Sequence, residues 1–269
     1  MLLRGAFSFS PVQPYDSQLT SRTEMQINAD FLEPACVLPG EYEWRPSPQP
    51  GVERVMLDRI GEEKARATSI VRYAPESYFP AHSHPGGEEI LVLSGTFSES
   101  NLTQDDNCKP KNGLSPEDHR TSEDTCHYSA GWYLRSPPGS SHRPFSGEGA
   151  VIFVKLWQMG ADETQMVRLN TNDPANWVSE PQRAYCQLYI DSRENVQLTR
   201  LHAGASLFTK AIEGAEILVL EGGLNDASTF YPAGAWVRLP AGRYPTIVAG
   251  EKGAKCYVKI GRLGGPNAQ

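Results

Sequence analysis

The sequence predicts an all-β protein built from two tandem, related β-barrels with little helix. Short runs rich in β-branched and aromatic residues end at Gly, Pro or Ser, which is typical of strands in small barrels. No segment shows a long helical period of apolar residues. In addition, one part of the chain repeats another in the same order. The clearest predicted strands are residues 69–72, 90–93, 151–156, 187–190, 217–220 and 256–260.

Length and composition limit the class of protein. The chain has 269 residues with 24 Gly and 21 Pro, which suits two small domains of short strands joined by many turns. Its net charge of −7 comes without a basic run, so nucleic acid and anionic lipid are not expected partners. No apolar stretch approaches the ~18 residues of a membrane span. We expect a soluble protein that takes a small-molecule substrate or ligand, and a homodimer is compatible with the sequence.

The internal repeat sets the predicted domain bounds. The matching segments are 44–49 with 177–182, 89–95 with 216–222, and 130–139 with 233–242. Because three pairs keep their order, we interpret the chain as a duplication. The predicted parts are an extension at 1–24, a first barrel at 25–157, a connecting segment at 158–176 and a second barrel at 177–269.

The N-terminal extension and the cysteines carry little functional information. Residues 1–24 weakly resemble an organelle transit segment, but a disordered extension of a cytoplasmic protein is the interpretation that we favour. None of the five cysteines forms a Cys-x-x-Cys pair, so we expect reduced thiols and no thiolate metal site. Cys108 and Cys126 share one polar loop, and whether they form a disulfide stays open.

The first copy is longer than the second by an insertion near residues 99–128. This segment is rich in charged residues and nearly free of apolar ones, so we expect it to be exposed and mobile, with an open role. Its acidic residues are Glu99, Asp105, Asp106, Glu117, Asp118, Glu123 and Asp124. We expect His119 and His127 to be exposed to solvent, and the alternative is that they belong to a lid over the metal site. In the second copy, we expect His202 to be an ordinary surface residue.

Three histidines and one glutamate of the first copy form a candidate metal site. His82 and His84 lie on one face of a strand, because side chains alternate with a period of two. Residues 85–87, Pro-Gly-Gly, then turn the chain and place Glu88 beside them. A later Pro-Pro-Gly turn delivers His142. Three imidazoles and one carboxylate can therefore converge.

The spacing of these residues resembles the two motifs of the cupin superfamily. The first motif, G(x)5HxH(x)3–4E(x)6G, matches at His82, His84, Glu88 and Gly95, and the second, G(x)5PxGxxH(x)3N, matches at Gly131, Pro137, Gly139 and His142. Ser77 replaces the opening Gly and Ser146 the final Asn, and neither position supplies a metal ligand in that family.

Residues 25–262 resemble the ChrR-like branch of cupins, on the segments Trp-Arg-Pro-Ser-Pro at 44–48, Pro-Gly-Val-Glu-Arg at 50–54, His-Pro-Gly-Gly-Glu-Glu-Ile-Leu-Val-Leu at 84–93 and Pro-Pro-Gly-Ser-Ser-His-Arg-Pro-Phe at 137–145. That branch includes the sensor domain of a bacterial anti-sigma factor, which binds zinc through three His and one Glu, and it is similar to iron-dependent cupins that cleave acetylacetone and related ketones. The resemblance implies two jelly-roll barrels and one divalent metal ion held by His82, His84, Glu88 and His142. No catalytic residue beyond these ligands is predicted.

Glu89 is the alternative to Glu88, because the general motif permits three or four intervening residues. The six-residue spacing to Gly95 selects Glu88. Glu89 is retained as Glu216 in the second copy, which favours a structural role for it.

The second copy lacks the metal ligands. An ungapped alignment puts Thr209, Ala211, Ala215 and Pro245 at the places of His82, His84, Glu88 and His142. A shortened turn would instead put Ala211 and Glu213 at the histidine places, and the set is incomplete in either case. We therefore predict a degenerate, metal-free second barrel.

Imidazole and carboxylate ligands suit several divalent metals, of which the resemblance favours Fe2+, with Zn2+, Mn2+ or Ni2+ as alternatives. The leading hypothesis is a non-haem Fe(II) dioxygenase-like enzyme that acts on a small enolisable ketone or diketone, with Ile90 and Val92 on the inward face beside Glu88. The alternatives are a sensory or ligand-binding ChrR-like cupin without catalysis, and an isomerase or decarboxylase on the same scaffold. No Cys-x-x-Cys preceded by a nearby His is present, which disfavours direct control of a sigma factor.

Overall fold

A computed structural model describes residues 25–62, 64–101 and 125–264. The predictions for residues 1–24, Cys108, His119 and most of the insertion lie outside the described residues. The described elements are β-strands and two single-turn 3-10 helices at Pro39–Glu41 and Pro174–Asn176. Within these ranges, no apolar helix has the length needed to cross a membrane. The all-β prediction is confirmed.

The first sheet has twelve antiparallel strands and contains the candidate site. The strands are β1 Gln26–Ile27, β3 Arg45–Pro46, β4 Val52–Ile60, β5 Arg66–Tyr73, β6 Ser77–Tyr78, β7 His82–His84, β8 Glu88–Asn101, β9 Thr125–Ser129, β10 Trp132–Ser136, β11 Ser140–Ser146, β12 Ala150–Leu156 and β13 Val167–Asn170. The main path through the sheet runs β1-β4-β5-β12-β8-β10-β13, and β11 pairs with β6, β7 and β8.

The second sheet has eight antiparallel strands. They are β2 Ala35–Val37, β14 Trp177–Glu180, β15 Arg183–Ile190, β16 Glu194–Leu201, β17 Ala215–Asn225, β18 Phe230–Pro232, β19 Trp236–Leu239 and β20 Val248–Gly261. Their order is β14-β15-β16-β20-β17-β19-β2, and β18 pairs with β17. The path matches that of the first sheet strand for strand from β4 onward, so the sequence repeat corresponds to a repeat in topology.

Each sheet is completed by a strand from outside its own repeat. β13 comes from the predicted connecting segment and pairs with β10. β2 comes from the predicted first barrel and pairs with β19 of the second sheet. Edge pairing is decided by tertiary contacts, so a strand can complete a sheet that is formed mainly by another part of the chain. The predicted bounds of 25–157, 158–176 and 177–269 stay a prediction.

The apolar core is divided into three clusters. One fills the first barrel and contains Ile90, Val92 and Phe97. A second fills the second barrel. The third lies between the barrels and contains Leu91. Because side chains alternate along β8, even-numbered residues at its start face the barrel interior, and Glu89 faces the other barrel.

Candidate metal centre

Two neighbouring strands bring the three predicted histidines together. β7 and β11 pair with His142 opposite His82 and Ser140 opposite His84. Residues directly opposite in an antiparallel pair share one face, so all three rings project to the same side. One ring nitrogen from each of His82, His84 and His142 lies within 4.8 Å of the others. His84 is 7% exposed and His142 is 4% exposed, whereas His82 is the more open of the three.

The turn between His84 and Glu88 completes the cluster. Gly87 has a φ of 75°, which favours glycine, and a Cβ on Gly86 would lie 2.6 Å from Trp157. Glu88 is 8% exposed, and its Oε2 lies 3.5 Å from Nε2 of both His84 and His142. The structure therefore brings the four predicted residues together. Their role as metal ligands stays a prediction.

Hydrogen bonds fix which nitrogen of two imidazoles is free. Nδ1 of His82 lies 2.8 Å from the carbonyl oxygen of Pro80, which can only accept, so Nδ1–H donates and Nε2 keeps its lone pair. Nδ1 of His142 lies 2.6 Å from Oε2 of Glu99 in the same way. Such a hydrogen bond at the far nitrogen is typical of metal-bound histidine.

The donor set fits one divalent ion. Ligand nitrogens each about 2.1 Å from an ion lie roughly 3.0–3.4 Å apart when their bonds are at 90–110°. Nε2 of His84 and Nε2 of His142 are 2.9 Å apart. Three imidazoles and a carboxylate are ligands for Fe, Mn, Ni or Zn. His82, His84, Glu88 and His142 are therefore the residues that would hold the metal.

Glu99 is a site residue for which the prediction of an exposed acidic insertion is wrong. Its side chain is 1% exposed and contacts His142. β8 continues to Asn101, and its pairing with β12 leaves Leu93 as one extra residue between Val92 and Ser94. Such a bulge changes which residues of a strand face the barrel interior. Even-numbered residues face inward before the bulge, and odd-numbered residues such as Phe97 and Glu99 face inward after it.

Glu99 is held as a carboxylate by its neighbours. Its Oε1 accepts hydrogen bonds from Nη2 and Nε of Arg168, at 2.8 and 3.1 Å, and from the Tyr128 hydroxyl at 3.2 Å. Burial raises the pKa of Glu99, but the His142 hydrogen bond and the Arg168 charge outweigh it and lower the pKa to about 2.

The pKa values of His84 and His142 shift in opposite directions. Burial lowers the pKa of His84. Burial also opposes the charged form of His142, but Glu88 and the hydrogen bond to Glu99 outweigh it and raise the pKa. These directions describe the protein alone, and metal binding requires both imidazoles to be neutral at the ligating nitrogen.

The remaining histidines of the described residues lie away from the cluster. His127 is exposed, with Nδ1 2.8 Å from the Ser98 hydroxyl and its ring against Phe145. The exposure of His127 fits the solvated interpretation, and His119 lies outside the described residues. His202 is exposed on the second barrel. Cys126, beside His127, is disulfide-bonded, and Cys36, Cys186 and Cys256 are free thiols.

The equivalent region of the second barrel is apolar. Phe208, Ile212 and Ala215 belong to its buried core. Across the parts of the chain that the structure describes, the group of His82, His84 and His142 is the one cluster of three or more potential metal ligands.

The comparisons with known proteins agree with this fold. Residues 33–105 match the family model described as the ChrR cupin-like domain. No curated protein matches the chain by sequence. A glyoxylate-induced protein from Pseudomonas aeruginosa has a TM-score of 0.63 at 16% identity, covering 94% of this chain and 96% of its own.

Two further structures are similar at low identity. The pirin YhhW from Escherichia coli, in complex with nickel(II), has a TM-score of 0.60 at 9% identity, covering 85% of this chain and 98% of its own. A protein from Nostoc punctiforme named as a dioxygenase has a TM-score of 0.56 at 14% identity, covering 90% and 84%. Residues 33–105 thus match the ChrR cupin-like family, and the chain as a whole has the cupin fold that these structures share.

Proposed function

We propose that the first barrel binds one divalent metal ion through His82, His84, Glu88 and His142, and that the Fe(II) form is a dioxygenase-like enzyme for a small enolisable ketone or diketone. The observation that carries this proposal is the convergence of three imidazole nitrogens within 4.8 Å beside a buried carboxylate. Iron(II) bound there would supply a Lewis acid for an enolate and a redox partner for oxygen. A dioxygenase places both atoms of O2 in its products, so no separate reductant is required.

The surroundings of the cluster suit a small, largely apolar substrate. Ile90 and Val92 share the inward face of β8 with Glu88, and both are buried. Phe97 closes the same interior and contacts the His142 ring at 6.3 Å between centroids. These side chains exclude water from the barrel interior and leave the more open His82 side as the route of entry.

One polar side chain beside the histidines makes no hydrogen bond to the described residues. Ser140 lies opposite His84 in the strand pair, on the face that carries His142. Its Oγ is buried and has no hydrogen-bond partner among the described residues. A hydroxyl in that position can donate to a carbonyl or enolate oxygen of a bound molecule.

Oxygen uptake tests the proposed reaction. Protein reconstituted anaerobically with Fe(II) should consume oxygen at least about tenfold faster with acetylacetone or a hydroxyaryl ketone than without. The Zn(II) form is the matched control, because zinc has no redox change, and it should stay at background. Equal background uptake by both forms across a panel of ketones would refute the dioxygenase proposal.

A metal-binding module without catalysis is the second candidate. The match of residues 33–105 to the ChrR cupin-like domain favours it, because the anti-sigma member of that branch is a sensor. A non-catalytic module would bind the ion stoichiometrically and release it, or change its fold, on oxidation. Retained metal binding together with absent oxygen uptake would select this candidate.

A further inference from the structure

β13 has one face toward the core cluster between the barrels and one face toward Glu99. Val167 and Leu169 pack against the core cluster that both barrels share, and β13 contacts β15 of the second sheet. Arg168 stands between these two residues and points the other way, because side chains alternate along a strand. Its guanidinium lies against Glu99.

The guanidinium of Arg168 is fixed from several sides. Nη1 donates to the backbone oxygens of Arg135 and Val167, at 3.1 and 2.9 Å. Nη2 donates to the Ser136 hydroxyl at 3.0 Å and to Oε1 of Glu99 at 2.8 Å. A planar guanidinium with all of these donors engaged holds its carboxylate partner in one orientation.

Glu99, held in this way, in turn orients a predicted metal ligand. Arg168 and Tyr128 occupy Oε1, and Oε2 accepts from Nδ1 of His142 at 2.6 Å. A carboxylate at Nδ1 fixes the tautomer of the imidazole, orients the ring and strengthens Nε2 as an electron donor. The chain of contacts is continuous from the cluster between the barrels to His142.

We infer that the second barrel helps to position a predicted ligand of the proposed metal centre: β13 pairs with β10 and packs against the core that both barrels share, Arg168 on β13 fixes Glu99, and Glu99 orients His142. This inference rests on the proposed metal site in the first barrel. Glu99 and Arg168 are positioning residues, since neither belongs to the ligand set. The second barrel thereby has a role although it carries no ligands of its own.

Cobalt titration of the full chain measures this coupling. Co(II) is added to metal-free protein in competition with a chelator, and its visible absorption reports the geometry around the ion. Glu99→Gln should weaken Co(II) binding about 10- to 100-fold and Arg168→Met about tenfold, with a changed spectrum.

Leu169→Ala alters only the face of β13 that packs against the shared core, and it should weaken Co(II) binding about threefold. Arg200→Met and Val178→Ala, on the second barrel, are matched controls that should leave affinity and spectrum unchanged.

A double variant separates positioning from general destabilisation. If Arg168 acts through Glu99, Arg168→Met should cost little further affinity in the Glu99→Gln background. An equal loss in both backgrounds would overturn the inference. Should Arg168→Met fail to fold, Arg168→Lys keeps the charge, loses the planar fork and carries the same test.

Imidazole nitrogen spectra of the metal-free protein give a readout that does not depend on metal. In its neutral form, His142 should be the Nδ1–H tautomer in the wild type and shift toward Nε2–H in Glu99→Gln and Arg168→Met. If the wild type binds no metal while this shift occurs, the proposed function fails and the positioning chain stands. An unchanged tautomer in both variants overturns the inference, whatever the protein binds.

Discussion

Two imidazoles of the proposed metal centre are oriented by neighbouring groups that are not themselves predicted ligands. The Pro80 carbonyl holds Nδ1 of His82, and Glu99 holds Nδ1 of His142. Both contacts leave Nε2 as the free donor atom, so these rings are oriented before any ion arrives. Preorganisation of this kind lowers the free energy that binding spends on ordering side chains.

Removing one of these rings should therefore remove the metal without unfolding the protein. We expect His82→Ala or His142→Ala to lose most of the bound metal and to stay soluble, because the three apolar clusters do not depend on these side chains. Elemental analysis of purified protein measures the metal, and His202→Ala is the control. A double variant that kept a full equivalent of metal would place the site elsewhere.

At the scale of elements, the turn before Glu88 is packed without spare space. Trp157 adopts a φ of 59°, which is rare for a bulky residue, and its backbone N–H donates to the Gly87 carbonyl at 3.3 Å. Met159 donates to the Gly86 carbonyl at the same distance. The end of β12 and the chain beyond it thus clamp the turn that sets the distance between His84 and Glu88.

A methyl group in this turn should disturb the metal centre. The Cβ of Gly86→Ala would lie 2.6 Å from the Trp157 backbone and ring, so the turn must move. We expect metal affinity to fall by about tenfold or more, since misplacement of ligands by about 1 Å is costly. Gly147→Ala is the matched control, because nothing lies within 4 Å of its Cβ. Equal Co(II) affinities for the two variants would show that the clamp is unimportant.

The first half of β8 was predictable from alternation, and its second half was not. The motif spacing selected Glu88, which lies beside His84 and His142, and left Glu89, which lies against Lys259 of the second barrel. The extra residue at Leu93 then reversed the parity of a strand that was predicted to end there. Gly95, which lies inside the strand with a φ of 68°, is the kind of glycine that accompanies a bulge. A charged residue next to the insertion was therefore read as solvated, whereas Glu99 is buried. Edge pairing of β2 and β13 also depends on long-range contacts that repeats and periodicity do not encode.

Across the whole molecule, the two barrels meet through a buried and nearly symmetric set of charges. Glu89 of β8 pairs with Lys259 of the second barrel at 3.2 Å and with Arg135 at 2.9 Å. Its counterpart Glu216 pairs with Lys155 of the first barrel. The retention of this glutamate in both copies is explained by the interface, because each carboxylate binds a lysine from the opposite barrel.

The pair of Lys155 and Glu216 offers the sharpest test of this interface. Both side chains are 1% exposed, and Trp236 donates to Glu216 at 2.7 Å. Lys155→Met leaves a buried carboxylate without its cation and should lower the free energy of unfolding by about 3–5 kcal/mol. Adding Glu216→Gln removes the uncompensated charge and should recover most of that loss. Lys255→Met, which breaks a pair with the exposed Glu221, should cost about 1 kcal/mol or less. Urea unfolding measures all three, and a double variant no more stable than Lys155→Met alone would show that charge pairing is not what the two barrels require here.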